Sequence, residues 1–340
     1  MREFIDMQRK LLPDLLQVIQ KRYSILRYIG YMQPVGRRSL AASLGLTERT
    51  LRSEVEFLKE QNLITAGSVG MSLTLEGKNL LEDLEGFMRE IKGIDVMELE
   101  LKHRLGIRRV LIVPGDVDES PMVKNELGKA CATCMKALLN GENIIAVTGG
   151  STMAAVAEML TPELGAKKLL FVPARGGIGE DVQNQANTIC SNMAAHTHSK
   201  HRVLYVPDQV SPDIYQSLIK EPAIHEVLGL IQSASMVLHG IGDAMTMARR
   251  RKTSPEDLQK IKDEKATGEA FGYYFNEAGE IVHKVATIGL QLNDLERIPN
   301  VIAVAGGKSK VKAIRAYLKQ APSFTILITD EGAANQLLKG

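Results

Sequence analysis

Tryptophan is absent from the 340 residues and aromatics reach only 4%, too few rings for a carbohydrate-stacking lectin surface or an RNA-stacking platform. Cysteine is scarce: Cys131, Cys134 and Cys190 are an odd number in a long chain, which excludes a disulfide scaffold and fits a reducing cytoplasm. Cys131 and Cys134 form a C-x-x-C inside a helix-like run with no second cysteine pair, so inert packed thiols are expected and no metal. Long hydrophobic runs are lacking too. None approaches the 18 residues of a membrane helix, and the first twelve residues mix both charge signs without a secretory apolar core. A cytoplasmic protein with no membrane partner is expected. Nor does one charge dominate: 42 basic residues face 40 acidic ones, so any nucleic-acid contact must be a local patch.

The length suits two domains. Residues 1–90 read as helical with one short hairpin. Residues from about 108 onward alternate strand and helix, and the second domain is placed over 91–340. In the first part Leu15, Val18, Ile19, Leu26 and Ile29 keep a helical stripe. Then Ser39 is placed to cap a short helix, Gly45 to end it in the left-handed conformation, and Thr47 to cap the next, with Leu51, Val55 and Leu58 on one face. That is a helix-turn-helix. Its surface offers Arg37, Arg38, Ser39, Thr47, Glu48, Arg49, Thr50, Arg52 and Ser53 to the major groove of double-stranded DNA. Residues 63–74 read as a hairpin, the wing of a winged helix. Residues 1–66 carry 11 basic against 7 acidic side chains, a modest local excess. Residues 75–103 read as a connecting or dimerising helix.

In the larger part the predicted strands run over 109–113, 143–147, 169–172, 202–206, 236–239, 301–305 and 325–328. Short apolar strands separated by helix-length spans are the mark of a mostly parallel, Rossmann-like sheet, whose ligands bind at the strands' carboxyl ends. The loops there are informative. Strand 143–147 runs through Gly149, Gly150, Ser151 and Thr152 straight into a helix, which gathers free amides, hydroxyls and the helix dipole around an anion. Arg175 stands beside Gly176, Gly177 and Gly179, with Gln185 nearby to bond a sugar hydroxyl. Arg249, Arg250, Arg251 and Lys252 follow a third glycine turn, Arg250 being the one expected to face inward. Gly306 and Gly307 precede Lys308 and Lys310, but Ile302 occupies the first glycine position of a Walker motif, which argues against ATP hydrolysis. Two Gly-Gly helix starts with several cations suit a ligand bearing two phosphates. Glu269 is the acidic acceptor for its sugar, unless it is a surface residue of a hairpin over 270–283.

In this order the helix-turn-helix, Thr148-Gly149-Gly150-Ser151-Thr152, Gly240-Ile241-Gly242, Gly268-Glu269 and Gly306-Gly307-Lys308-Ser309-Lys310 resemble the sugar-binding transcriptional regulators of the sorbitol-operon and deoxyribonucleoside-regulator type. The resemblance implies an α/β chain: a winged helix-turn-helix domain plus a phosphosugar-isomerase-like effector domain. It further implies a repressor of a glycolytic operon, a homo-oligomer from dimer to tetramer, no cofactor, and fructose 1,6-bisphosphate as the effector that weakens operator binding. Family motifs place phosphate contacts on Gly149–Thr152, Arg175, Arg250 and Lys310, with Gln185 and Glu269 near the sugar.

Phosphosugar isomerases and glucosamine-phosphate deaminases share such a domain, so an enzyme with an accessory N-terminal domain is the rival reading. The deaminases continue their glycine loop with Asp-Gly-His, whereas this chain reads Gly242-Asp243-Ala244-Met245 and has no histidine in the catalytic place. No catalytic residue is therefore expected. A pure oligomerisation module leaves the glycine and cation clusters unexplained.

Overall fold

The computed structural model describes residues 11–178 and 181–339, so residues 1–10 of the polar N-terminal segment and Gly179 of the strand-end loop lie outside the described residues. Two compact units divide between Val96 and Met97.

The first unit contains α1 (Pro13–Met32), α2 (Arg37–Leu44), α3 (Glu48–Glu60), the antiparallel pair β1 (Ile64–Gly67) and β2 (Gly70–Leu73), and α4 (Leu75–Lys92); α5 (Ile94–Leu105) follows. Helix α1 buries Leu16, Tyr23, Ile25, Leu26 and Ile29. Leu15, expected on that stripe, is 44% exposed because its neighbour Leu16 takes the inward face. Helix α2 starts at Arg37 with Gly36 as its cap: the Leu40 amide already bonds the Gly36 carbonyl at 3.0 Å, so Ser39 lies within the first turn and caps nothing. Gly45 ends α2 at φ +62°, and the Thr47 hydroxyl accepts the Thr50 amide at 3.1 Å to start α3. Leu51, Val55 and Leu58 then meet Ile25, Leu26 and Ile29 in one core. The connecting helix is two helices, since Gly93 closes α4 in the left-handed conformation at φ +65°.

In the second unit β3 (Arg109–Val113), β4 (Asn143–Val147), β5 (Leu169–Pro173), β6 (Lys200–His201) and β7 (Met236–Gly240) precede a small antiparallel sheet. That sheet comprises β8 (Gly242–Asp243), β9 (Ala266–Ala270), β10 (Tyr273–Asn276) and β11 (Ile281–Lys284); β12 (Asn300–Val304) and β13 (Ile326–Asp330) follow. The large sheet is wholly parallel in the order β3-β13-β12-β7-β4-β5-β6. Val147, Phe171, Leu238, Ile302 and Ile328 are fully buried in it, each contributing about 1.5–3 kcal/mol of burial.

Two expected elements differ. No strand forms over 202–206, the edge strand being Lys200–His201 instead, because the Asn187 side chain takes both the Leu204 amide (2.9 Å) and the Leu204 carbonyl (3.1 Å) that a ladder would use. The expected hairpin over 270–283 is the outer part of the four-stranded sheet.

From β4 the chain winds outward to β5, and from β7 it winds the other way to β12, yet β4 and β7 are neighbours. Their carboxyl ends flank a crevice at the reversal of strand order, where such sheets take ligands.

Candidate functional site

Thr148 closes the floor of that crevice. Its amide donates to the Leu238 carbonyl at 3.0 Å, and its hydroxyl accepts the Gly240 amide at 3.3 Å, tying β4 to β7. Gly149 is required by close approach, since a Cβ there would lie 2.7 Å from the Asn184 carbonyl oxygen. Gly150 adopts φ +118° and ψ 156°, a conformation open essentially to glycine alone. The helix Ser151–Glu158 that follows has no side-chain cap, so its first-turn amides keep their affinity for an anion.

The residues named from the sequence come together here. Gly149–Thr152, Arg175, Gln185, Arg250, Arg251, Glu269 and Lys310 all line one cavity of about 140 Å³. Lys310 enters half-buried from the turn before the helix Val311–Leu318. Burial, and then the charge of Lys124, push its pKa down against the pull of Asp118, Asp330 and Asp243. An anion beside it would relieve that cost. Arg250, expected to turn inward, is half-buried, while Arg251 next to it is the more deeply placed, with 3% of its side chain exposed.

A buried ion network forms part of the cavity wall. Arg175 Nε donates to Asp208 Oδ1 at 2.6 Å, and Arg251 Nε donates to Asp208 Oδ2 at 3.0 Å. Arg251 also donates from Nη1 to the Tyr274 hydroxyl at 3.0 Å and from Nη2 to Glu269 Oε1 at 2.9 Å. Glu269 is thus a buried residue rather than a surface one.

The second Gly-Gly turn behaves differently from expectation. The Gly307 amide donates to Asp330 Oδ2 at 2.7 Å and the Ser309 amide to Asp118 Oδ2 at 2.7 Å, so these amides already hold carboxylates of the protein itself. Lys308 bonds Glu119 at 2.7 Å and Asp116 at 3.1 Å, which raises its pKa to about 12. Its charge is therefore matched there, and Lys310 is the lysine of this turn that lines the cavity.

Sequence reasoning missed Lys124, whose Nζ reaches the Ser151 hydroxyl at 3.4 Å, and Asn184, whose carbonyl shapes the turn. It also missed Asp208. A lysine on a neighbouring helix, a backbone carbonyl and a distant carboxylate leave no local motif. The three thiols are buried and unpaired, and burial pushes their pKa values up. Among the described residues no group of three or more His, Cys, Asp and Glu is placed to hold a metal ion, and no helix is long and apolar enough to cross a membrane.

In the first unit α3 turns Leu51, Val55 and Leu58 inward and leaves Glu48, Arg49, Thr50, Arg52 and Ser53 exposed. Arg37, Arg38 and Ser39 are exposed on α2, and Arg38 approaches Glu48 at 3.4 Å. On the inner side Glu54 holds α3 to α1 through Lys21 at 2.5 Å and Arg22 at 2.8 Å. Burial works against its carboxylate, but the two cations keep its pKa below the usual range.

Residues 18–88 match the family model for the CggR N-terminal DNA binding domain, and residues 89–339 match the model for a sugar-binding domain. The central glycolytic genes regulator of Priestia megaterium is 60% identical over 340 residues, covering 100% of this chain and 99% of that protein. The chain belongs to the central glycolytic genes regulator family. The Bacillus subtilis member of that family is 57% identical, again over 100% of this chain and 99% of its own length. Among solved structures, a protein described as a SorC family transcriptional regulator from Enterococcus faecalis is 50% identical with TM-score 0.68, covering 71% of this chain and 99% of that one. The full-length sorbitol operon regulator from Klebsiella pneumoniae shares the fold at 18% identity and TM-score 0.65, covering 95% and 98%. This member of the glycolytic genes regulator family is a DNA-binding and sugar-binding transcriptional regulator, not an enzyme.

Proposed function

We propose that the protein is a cytoplasmic repressor of a glycolytic operon whose grip on operator DNA is weakened by a phosphorylated sugar, fructose 1,6-bisphosphate. Residues 1–90 serve as a winged helix-turn-helix with its connecting helix, reading DNA through α3. Residues 91–340 bind the effector and join subunits into a dimer or tetramer. The relatives' shared name supports the operon. The observation that carries the effector is the uncapped start of the helix Ser151–Glu158 opening on a cavity also lined by Lys310, Arg250 and the acceptor Glu269. That arrangement matches phosphate at one part and hydroxyls at another. The ligand shifts DNA binding only as far as its affinities for the two states differ.

Thermal unfolding with fructose 1,6-bisphosphate, fructose 6-phosphate and inorganic phosphate in parallel is the test, followed by operator titration with the stabilising sugar. At about 100 times its dissociation constant the effector adds roughly 2.7 kcal/mol of stability. No shift with any phosphosugar would overturn the effector assignment.

A further inference from the structure

The ion network in the cavity wall holds two guanidinium groups and two carboxylates, all at least nine-tenths buried. Its charges cancel internally. Asp208 offers one oxygen to Arg175 and the other to Arg251. Arg251 donates from each of its three nitrogens, to Asp208, Tyr274 and Glu269, and Arg175 Nη1 lies 3.6 Å from Glu269 Oε1. Glu269 Oε1 additionally accepts the Gly272 amide at 2.6 Å. The contacts that Glu269 makes in this network all fall on Oε1. No hydrogen bond from the described residues reaches Oε2, which faces Gly242, where a Cβ would lie 3.4 Å from it; both residues line the cavity.

Resting on the phosphosugar reading above, we infer that Asp208 is a positioning residue for sugar hydroxyls: through Arg175 and Arg251 it fixes Glu269 so that Oε2 stands open to the ligand. Asp208 itself does not line the cavity. Because Arg175 and Arg251 are already matched by Asp208 and Glu269, the phosphate charge falls to Lys310 and the helix start. Carboxylate and cation then sort the groups of the ligand, ring hydroxyls toward Glu269 and a phosphate toward Thr152.

Calorimetric titration of the full-length protein with fructose 1,6-bisphosphate and with inorganic phosphate tests this. Asp208→Asn is expected to weaken the sugar bisphosphate about tenfold or more while inorganic phosphate changes less than about twofold, since only the sugar uses the oriented carboxylate. Combined with Glu269→Gln, it should add no further loss, because both changes break one relay. Unchanged discrimination between the probes, or losses that add, would overturn the inference. Should Asp208→Asn fail to fold, Arg251→Lys interrupts the same relay with charge retained; the same selective loss is expected, and its absence counts equally against the role of Asp208. Wild-type protein that binds neither probe would instead overturn the phosphosugar reading, and this inference with it.

Discussion

Asp118 and Ser309 are joined twice: one carboxylate oxygen accepts the Ser309 amide at 2.7 Å and the other accepts its hydroxyl at 2.9 Å. The carboxylate sits where an anionic ligand would sit in an open turn of this kind, and a Cβ on Gly307 would collide with it at 2.6 Å. Of two similar glycine turns, after β4 and after β12, one strand apart across β7, the turn after β12 is closed by the chain itself and the one after β4 faces the cavity. Asp118→Ala should cost about 1–2 kcal/mol, measured by urea unfolding, with affinity for fructose 1,6-bisphosphate unchanged. A large loss of that affinity would show that the closed turn contributes to the ligand site.

Arg52 is exposed on α3, outside the core formed by Leu51, Val55 and Leu58. Arg52→Ala is expected to weaken operator binding by about 1–3 kcal/mol, read by fluorescence anisotropy. If the contact is to phosphate, the salt dependence also falls by about one unit of slope. Sugar binding should stay as in wild type, and loss of both would argue against separate sites.

Lys310→Met and Thr152→Ala should do the reverse. Each is expected to weaken the sugar bisphosphate by about 1.5–3 kcal/mol and to leave operator affinity in the absence of ligand unaltered. Induction that proceeds normally in either variant removes that residue from the pocket.

His239 is fully buried at the end of β7, with Nε2 3.0 Å from the Tyr317 hydroxyl. Burial lowers its pKa from 6.5 to about 4, against a smaller opposing effect of the Gly240 carbonyl. On acidification the unfolded chain takes up this proton near pH 6.5 and the folded chain only near pH 4. The contribution is therefore complete above pH 6.5 and is lost as pH falls through that window, at up to about 1.4 kcal/mol per pH unit. The urea stability difference between pH 7 and pH 5 should be smaller in His239→Gln than in wild type. Equal differences would show that His239 does not titrate in this way.

What could be read from the sequence was whatever a short span encodes. Gly45 and Thr47 announce a turn and a cap through backbone chemistry local to three or four residues, and both perform those tasks. The Gly149–Thr152 turn follows from a strand, two glycines and a helix in succession, and Lys310 and Glu269 come to the same cavity because parallel strand ends gather there. What escaped depends on partners far apart. Asp208 meets arginines 33 and 43 positions away, and the amides near Gly307 are taken by Asp118 and Asp330 from other strand ends. Ser39 was misread because Gly36 begins the helix earlier without any side-chain cap, and 202–206 because a single asparagine replaces a strand partner.

The reversal of strand order between β4 and β7 also fixes when the cavity comes into being during synthesis. Its walls leave the ribosome in instalments, Thr148 first, Gly240 later and Lys310 last, whereas α3 is finished by Glu60. A nascent chain thus owns the helix of its DNA-binding half well before it owns a complete pocket. Any fragment that stops short of Lys310 carries the former and lacks a wall of the latter.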